Sequence, residues 1–246
     1  MINQIKILSE PSIQNPYVIV YKPKGIPSAP LSLDDKNNVY SQVAQKFPEL
    51  DIVIGKKQIE HGLIHRLDTV TDGLLLIAAT QEAYDFFIEQ QSLGNFIKFY
   101  SAECKINKQN SEILEGFPKI DFDLSKDFFT ISSFFRTYKQ GGKEVRPVIE
   151  DSSKFAKKKM GKLKEYSTNV QILQRNGDTV KVECSIKQGF KHQVRCHLAW
   201  IGLPIINDCV YNKESLNENK EICFSATKLK FVHPITKEII EYEYKE

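Results

Sequence analysis

The densest group of polar side chains in this sequence lies directly before its most apolar run. Residues 61–73 read HGLIHRLDTVTDG, and residues 74–79 continue as LLLIAA. Polar side chains at the mouth of a buried strand are held rigidly and can face a cleft, where ligands bind. Asp68 lies close to Arg66, and a neighbouring guanidinium favours an ionised carboxylate. The cluster therefore suggests an ionised aspartate in a cleft. A plain turn is the alternative, because Asp, Thr and Gly are common turn residues.

A second polar cluster, at residues 187–198, reads KQGFKHQVRCHL. Its spacing predicts a helix over 191–201. Lys191 and Arg195 are four residues apart and share one helical face, with His192 beside them. Free amides and the macrodipole at a helix N-terminus favour an anion, so phosphate or carboxylate is the expected ligand. The alternative is a charged solvent face opposite an apolar stripe of Val194, Leu198 and Ile201.

Other chemistries lack the residues that they need. His61 and His65 have helical i, i+4 spacing, but no Glu follows the first His and no third ligand is obvious, so we predict no metal site. The sequence has no G-x-S-x-G elbow, no Walker loop and no G-x-G-x-x-G. This argues against serine hydrolases, P-loop enzymes and dinucleotide enzymes.

The composition is that of an ordinary globular protein. The 246 residues are 41% hydrophobic and 26% charged, with a net charge of +3. These values exclude a disordered chain, and the mild charge requires any nucleic-acid surface to be a local patch. The longest apolar run is too short to span a bilayer, and the N-terminus carries no secretion signal. Five cysteines without a C-x-x-C pair indicate reduced thiols, so we expect a cytoplasmic protein.

The elements that position the two clusters follow from periodicity and capping. Asn38 predicts a short helix ending near Phe47, while Thr80 and Gly94 bracket a helix over 81–93. Strands are expected at 17–22, 73–79 and 96–106, and hairpins at 170–184 and 228–244, the first around Asn176-Gly177. Many strands with few helices indicate an α+β fold with a mixed, largely antiparallel sheet.

One segment, residues 139–165, differs in composition from the rest. It carries nine basic and four acidic residues and few large apolar ones. This pattern predicts a basic, mobile loop, for which a solvated surface insertion is the alternative.

Taken together, the motifs resemble those of the RluA-type family of RNA pseudouridine synthases. Residues 15–27 resemble the family's opening strand followed by KPxGxP, and residues 65–75 resemble its H-R-L-D-x-x-T-S-G-L-L signature. Residues 98–102, KFYSA, stand where the family has K-x-Y-x-A, and residues 189–208 resemble G-R-x-H-Q-I-R-x-H-L…G-x-P-I…D. Two positions depart from the pattern: Asp72 replaces the usual Ser, and Phe190 replaces a usual Arg.

The resemblance implies roles for individual residues. Asp68 is implied to be the catalytic carboxylate, Arg195 its ion-pair partner, and Tyr100 the ring placed against the uracil. Arg66 is implied to occupy the space left by a flipped-out base, where its planar guanidinium can stack. The full set of implied substrate-binding residues is Arg66, Lys191, His192, Gln193, Leu198 and, within the basic segment, Arg146. No cofactor and no metal are implied.

For the whole chain, the resemblance implies a single catalytic domain over 1–246, without the small N-terminal RNA-binding domain of many relatives. Its fold would be a bent, mixed, largely antiparallel β-sheet with flanking helices and loops and a cleft along its middle, with the loop at 139–165 beside that cleft. The implied activity is the cofactor-free conversion of uridine to pseudouridine in structured ribosomal or transfer RNA, with base flipping. We expect no membrane association and no obligate protein partner.

Two other functions fit parts of the sequence. A non-catalytic RNA-binding or RNA-folding protein on the same scaffold would explain the basic residues but would leave Arg66, Asp68 and Tyr100 without a purpose. A hydrolase of glycosidic bonds would need a second acid opposite Asp68, for which Asp72 and Glu60 are the nearby candidates.

Overall fold

The structure is a computed structural model that describes residues 4–107, 109, 114–161, 163–212 and 220–244. The described residues form ten strands and four α-helices. The strands are β1 (Lys6–Ser9), β2 (Tyr17–Lys22), β3 (Asp72–Ala78), β4 (Ile97–Lys105), β5 (Phe128–Tyr138), β6 (Glu144–Val148), β7 (Tyr166–Asn176), β8 (Thr179–Ile186), β9 (Phe224–Val232) and β10 (Ile239–Glu243). The helices are α1 (Val39–Ala44), α2 (Gln81–Leu93), α3 (Lys154–Lys158) and α4 (Gln193–Trp200).

The chain divides into two compact units. The first contains Met1–Lys98 together with Ser225–Glu246, and the second contains Phe99–Phe224. The single catalytic domain implied by the sequence therefore stays a prediction, and each unit is described by itself.

In the first unit the strand order is β1-β2-β3-β9, with β10 beside β9. Strand β2 runs antiparallel to β3, whereas β3 runs parallel to β9, where Gly73 lies opposite Ala226. A side chain at Gly73 would collide with the main chain, since an added Cβ would lie 2.1 Å from the Ala226 carbonyl oxygen. The apolar β2 and β3 residues pack with α2 and with the buried rings of Phe87, Phe96 and Phe231 into one core. This core supports the end of β3 at which the first polar cluster stands.

Local signals set the bounds of the α2 helix, as the sequence predicted. Thr80 caps its N-terminus through a hydrogen bond from the Ala83 amide to Oγ1, 3.2 Å long, and Gly94 ends it with φ +79°. Asn38 likewise caps α1, whose C-terminus at Ala44 comes earlier than predicted.

In the second unit the strand order is β4-β8-β7-β5-β6. The predicted Asn176-Gly177 turn joins β7 to β8, which are antiparallel. The core contains the buried side chains of Phe135, Tyr166, Cys196 and Tyr211. The α+β fold with a mixed, largely antiparallel sheet is confirmed, since β3 and β9 form the one parallel pair among the described pairings.

The structure differs from the sequence prediction at the basic segment. Within 139–165 the chain forms strand β6 and helix α3, and all five residues of β6 are buried. Charge had suggested a loop, but Glu144 and Arg146 neutralise each other there through a 2.7 Å ion pair. Pairing offsets the cost of burying charge, which the composition alone does not reveal.

Helix α4 also differs from its prediction. It begins at Gln193, so Lys191 lies before the helix, and all eight of its residues are buried. The alternative of a charged solvent face on this helix is therefore wrong. None of the described helices is long and apolar enough to cross a membrane.

Candidate active site

The loop that carries Asp68 is held mainly by hydrogen bonds to its own main chain. Ser28 Oγ both accepts from the Leu67 amide and donates to the Leu67 carbonyl, at 2.9 Å each. The Gly25 amide donates to the Thr69 carbonyl at 2.8 Å, and the Thr71 amide closes a turn on the Asp68 carbonyl at 3.0 Å. The backbone on both sides of Asp68 is thus fixed by the loop that follows β2, while the Asp68 side chain is half-buried.

A buried lysine lies beneath this loop. The Lys22 side chain is fully buried, and its Nζ donates to the Pro23 carbonyl at 2.9 Å and to the Thr69 carbonyl at 3.3 Å. Burial lowers the pKa of Lys22 to about 8, against the opposing influence of the Asp72 and Asp68 charges. Lys22 thus brings a buried positive charge close to the candidate catalytic carboxylate. The sequence analysis placed Lys22 at a strand end and at the start of the KPxGxP motif, without a role near Asp68.

Asp72 links three strands at the start of β3. Its Oδ2 accepts from the Tyr21 hydroxyl at 2.6 Å, its Oδ1 accepts from the Ser225 hydroxyl at 2.7 Å, and Lys24 Nζ lies 3.8 Å from Oδ1. This position departs from the family motif, and here the carboxylate ties β3 to β2 and β9. Because Asp72 is engaged in this way, it is a poor second acid for a glycosidic hydrolase.

Arg66 is the exposed cation of the loop. Its side chain is 56% exposed, and Nη1 lies 2.9 Å from Glu60 Oε1. Lys57 shares the same carboxylate oxygen at 3.0 Å. Glu60, the other candidate second acid, is therefore also paired, and Arg66 is held by a bond that is worth little in water.

His65 and Lys98 lie near each other in the same unit, and the ring nitrogens of His65 are shielded from solvent. Neither ring nitrogen of His65 has a hydrogen-bond partner among the described residues, and burial holds its pKa well below the usual range. Lys98 is also buried, which lowers its pKa to about 8, and its Nζ lies 5.7 Å from the centre of the Phe96 ring. The lowered pKa favours the neutral form of His65. The signal for Lys98 in the sequence is its place at the start of the KFYSA motif.

In the second unit, Tyr100 lies on β4 with its ring packed face to face on Phe224. The ring centres are 5.1 Å apart, the planes are 12° from parallel, and both residues are buried. The stacking fixes one face of the Tyr100 ring. Sequence analysis did not identify Phe224, because it is more than 100 residues away along the chain.

Arg195 is held by a buried carboxylate of its own unit. Its Nε and Nη2 donate to the two carboxylate oxygens of Asp208, at 2.8 Å each, and the side chains are 3% and 0% exposed. Asp208 Oδ1 also accepts from the amides of Val210 and Tyr211. Arg195 is therefore fixed by a bidentate pair that the sequence analysis did not foresee. Its pairing with Asp68, which belongs to the first unit, stays a prediction.

Tyr211, which the sequence analysis missed, connects several residues that it named. The Tyr211 hydroxyl lies 3.2 Å from His192 Nδ1, and its ring centre lies 5.7 Å from the Arg195 guanidinium and 6.0 Å from that of Arg146. His192 itself takes a left-handed conformation, φ +54°, immediately before α4. The structure thus brings His192, Arg195 and Arg146 around one buried tyrosine.

The other residues predicted to bind substrate mostly contact other residues of their own unit. Gln193 bonds to the Phe190 amide, the Ser167 carbonyl and the Thr168 hydroxyl, and Leu198 is fully buried. Lys191 is exposed, and its Nζ donates to the Gly142 carbonyl at 2.8 Å.

Arg146 requires a correction. It is 2% exposed, and its three guanidinium nitrogens donate to the Glu115 and Val145 carbonyls and to Glu144 Oε2. The aromatic rings of Phe117 and Tyr138 lie 4.8 and 4.3 Å from the guanidinium carbon. Each of its three guanidinium nitrogens donates a hydrogen bond inside the unit and the side chain is buried, so Arg146 does not offer an open contact to a phosphate.

With this geometry in place, comparison with known proteins identifies the class of the chain. The model of the family described as RNA pseudouridylate synthase matches residues 16–200. The chain belongs to this family.

Among its relatives, RNA pseudouridine synthase 7 of Arabidopsis thaliana is 29% identical over 223 residues, covering 88% of this chain and 47% of the relative. Ribosomal large subunit pseudouridine synthase D of Zymomonas mobilis is 24% identical over 190 residues, covering 74% and 51%. The chain thus spans about half the length of these curated relatives.

Solved structures support the fold. The human RNA pseudouridylate synthase domain containing 1 is similar with a TM-score of 0.66 at 20% identity, covering 100% of this chain and 85% of the other. The human RNA pseudouridylate synthase domain containing 4 gives 0.62 at 18% identity, covering 97% and 87%. The fold is therefore that of the pseudouridylate synthases, as the sequence resemblance implied.

Proposed function

We propose that this chain is an RNA pseudouridine synthase, an isomerase that converts specific uridines of structured ribosomal or transfer RNA to pseudouridine in the cytoplasm. The proposal needs no cofactor. The observation that carries it is the Asp68 loop: a half-buried carboxylate on a backbone that Ser28 and Gly25 hold in place, beside a buried lysine charge. A fixed carboxylate of this kind is suited to attack or to support departure of a base.

In the proposed reaction the bond from the ribose C1′ to N1 of uracil breaks with participation of Asp68. The detached base turns, and a bond forms between C1′ and C5. The C5 proton is lost and N1 gains a proton, so the substrate and product are isomers. We assign Tyr100 to the face of the uracil and Arg195 to the orientation of Asp68. Arg66, exposed and weakly tethered, would fill the gap that the flipped nucleotide leaves in the RNA.

The test is pseudouridine formation by the purified protein on ribosomal and transfer RNA transcripts, followed by chemical labelling of pseudouridine. Asp68→Asn should abolish conversion and leave RNA affinity within a few-fold, because many phosphate contacts share the affinity. Asp85→Asn, the same change at an exposed position of α2, is the matched control and should keep both properties.

Normal conversion by Asp68→Asn would overturn the role of Asp68. A wild-type protein that binds RNA but converts no uridine would favour a non-catalytic RNA-binding protein on the same scaffold instead. Mapping of pseudouridine in cells with and without the gene separates these two functions and, for an enzyme, identifies the target RNA.

A further inference from the structure

Helix α3 places its one large apolar side chain in solvent. Ser153 caps this short helix through a 3.2 Å hydrogen bond from the Ala156 amide, and Ala156 is its one buried residue. Phe155 is 62% exposed, and Lys159 Nζ lies 4.4 Å from the centre of its ring. Burying a phenylalanine stabilises a fold considerably, so a helix that contributes only an alanine to the core does not use Phe155 for folding.

The charge around Phe155 distinguishes it from other exposed apolar residues, which are common singly on protein surfaces. Residues 152–161 contain four lysines, Lys154, Lys157, Lys158 and Lys159, and no acidic residue. Phe128, the first residue of β5, has nearly the same exposure, 63%, but it directly follows an acidic residue, Asp127. Phe155 is thus an open aromatic face within a cluster of positive charge.

The segment that follows α3 is paired with the sheet of its unit. Met160, directly after Lys159, forms an antiparallel bridge with Arg136 of β5. A ring on a short helix that is anchored in this way loses little further freedom when a ligand stacks on it.

We propose that Phe155 is a stacking platform for an unpaired base of the RNA substrate, and that the lysines of α3 contact the phosphates on either side of that base. This proposal rests on the proposed function, since it adds a second contact point to the same RNA. Aromatic stacking combined with lysine contacts to the backbone is how proteins bind single-stranded nucleic acid, and it suits any base. The positive charge selects RNA over a second copy of this chain.

The test measures binding of a labelled, unstructured ten-nucleotide RNA across a range of salt concentrations. Phe155→Ala should weaken binding about tenfold, the loss typical of one stacked base. The slope of log affinity against log salt should stay unchanged, because no charge is removed. Phe155→Trp should bind at least as well as the wild type, and Phe128→Ala, matched in exposure, should bind normally. Replacing Lys157, Lys158 and Lys159 with Gln should instead reduce the slope, by about 0.7 for each lost phosphate contact.

A spectroscopic readout reports on stacking directly. The single native tryptophan, Trp200, is 2% exposed. A fluorescence change on RNA addition that occurs in Phe155→Trp and not in the wild type therefore comes from the new position, and RNA should quench this emission. Thermal unfolding of each variant checks that exposed Phe155 can be replaced without loss of the fold.

The proposal is overturned if Phe155→Ala binds RNA as tightly as the wild type. It is equally overturned if Phe155→Ala alters only self-association in sedimentation, or only binding to anionic lipid vesicles. The conversion assay separates failure of the Phe155 proposal from failure of the proposed function. If no uridine is converted but Phe155→Ala still weakens RNA binding, the stacking platform stands and the enzyme assignment falls.

Discussion

Two arginines in the sequence motifs, Arg66 and Arg195, occupy opposite environments. Arg66 stands on the Asp68 loop with its side chain 56% exposed and one ion pair to Glu60. Arg195 is 3% exposed and grips both oxygens of the fully buried Asp208. An exposed pair contributes about 0–1 kcal/mol, whereas breaking a buried pair costs about 3–5 kcal/mol. Arg66 can therefore move to a ligand at little cost, and Arg195 cannot.

The same contrast extends to the regions around these residues. Neutral hydrogen bonds from Ser28 and Gly25 hold the Asp68 loop by its main chain. Around α4, by contrast, charged and aromatic side chains hold the structure themselves, as in the Arg195–Asp208 pair. We therefore expect side-chain substitutions in the loop to affect activity first, and substitutions around α4 to affect stability first.

Arg195→Met should produce the largest loss of stability. It leaves the Asp208 carboxylate buried without its cation, so the free energy of unfolding should fall by about 3–5 kcal/mol in urea titrations. Lys105→Met, which removes the exposed pair with Asp178 in the same unit, is the control and should change it by less than about 1 kcal/mol. Adding Asp208→Asn to Arg195→Met should recover part of the loss. If Arg195→Met is within about 1 kcal/mol of the wild type, the buried Arg195–Asp208 pair contributes no more to stability than an exposed pair.

Lys98, a buried cation of the first unit, has no carboxylate partner among the described residues, and pH should reveal this. Burial lowers the pKa of Lys98 to about 8 from 10.5. The folded protein therefore releases this proton before the unfolded chain does, so the contribution of Lys98 to stability rises as pH increases from about 8 to 10.5.

Lys98→Met should remove this rise. At pH 7 the variant should be at least as stable as the wild type, and by pH 10 the wild type should gain about 2 kcal/mol relative to it, at about 1.4 kcal/mol per pKa unit. Urea titrations at pH 7, 8, 9 and 10 measure the difference. A difference in unfolding free energy between wild type and Lys98→Met that is the same at every pH would show that Lys98 keeps an ordinary pKa.

Ser28→Ala should have a smaller effect on stability and a specific effect on catalysis. The substitution removes both 2.9 Å bonds to Leu67 and should cost about 1 kcal/mol of stability. Because the loop around Asp68 then loses an anchor, kcat for pseudouridine formation should fall more than KM rises. Ser92→Ala, at an exposed serine of α2, is the control and should leave kcat unchanged. An unchanged kcat in Ser28→Ala would mean that the other loop contacts suffice.

Local signals explain which elements could be predicted from the sequence. Thr80 and Gly94 bound α2, and Asn176-Gly177 makes the β7–β8 turn, because capping and turn geometry depend on a few neighbouring residues. The positions of Asp68, Arg66 and Tyr100 on loop and strand follow from the motifs in the same way.

Long-range contacts explain what could not be predicted. Strand β6 looks too charged to be buried until Glu144 pairs with Arg146 and aromatic rings from distant segments cover the guanidinium. Ser28 lies 39 residues from Leu67, and Asp208 lies 13 residues from Arg195, so neither partner is visible in a local pattern. The sequence identifies the residue types of the site, but only the folded structure shows which groups surround them.

Arg66→Met should have the smallest effect on stability and a strong effect on activity. The lost ion pair with Glu60 is exposed, so the free energy of unfolding should change by less than about 0.5 kcal/mol. Under the proposed function, the gap left by the flipped base then loses its planar guanidinium, and the single-turnover rate should fall at least about tenfold, since flipping costs a few kcal/mol. Lys57→Met removes the other cation on the same Glu60 oxygen and is the matched control, expected to keep both stability and rate. A full rate in Arg66→Met, or a stability loss as large as that of Arg195→Met, would abolish the distinction between the two arginines.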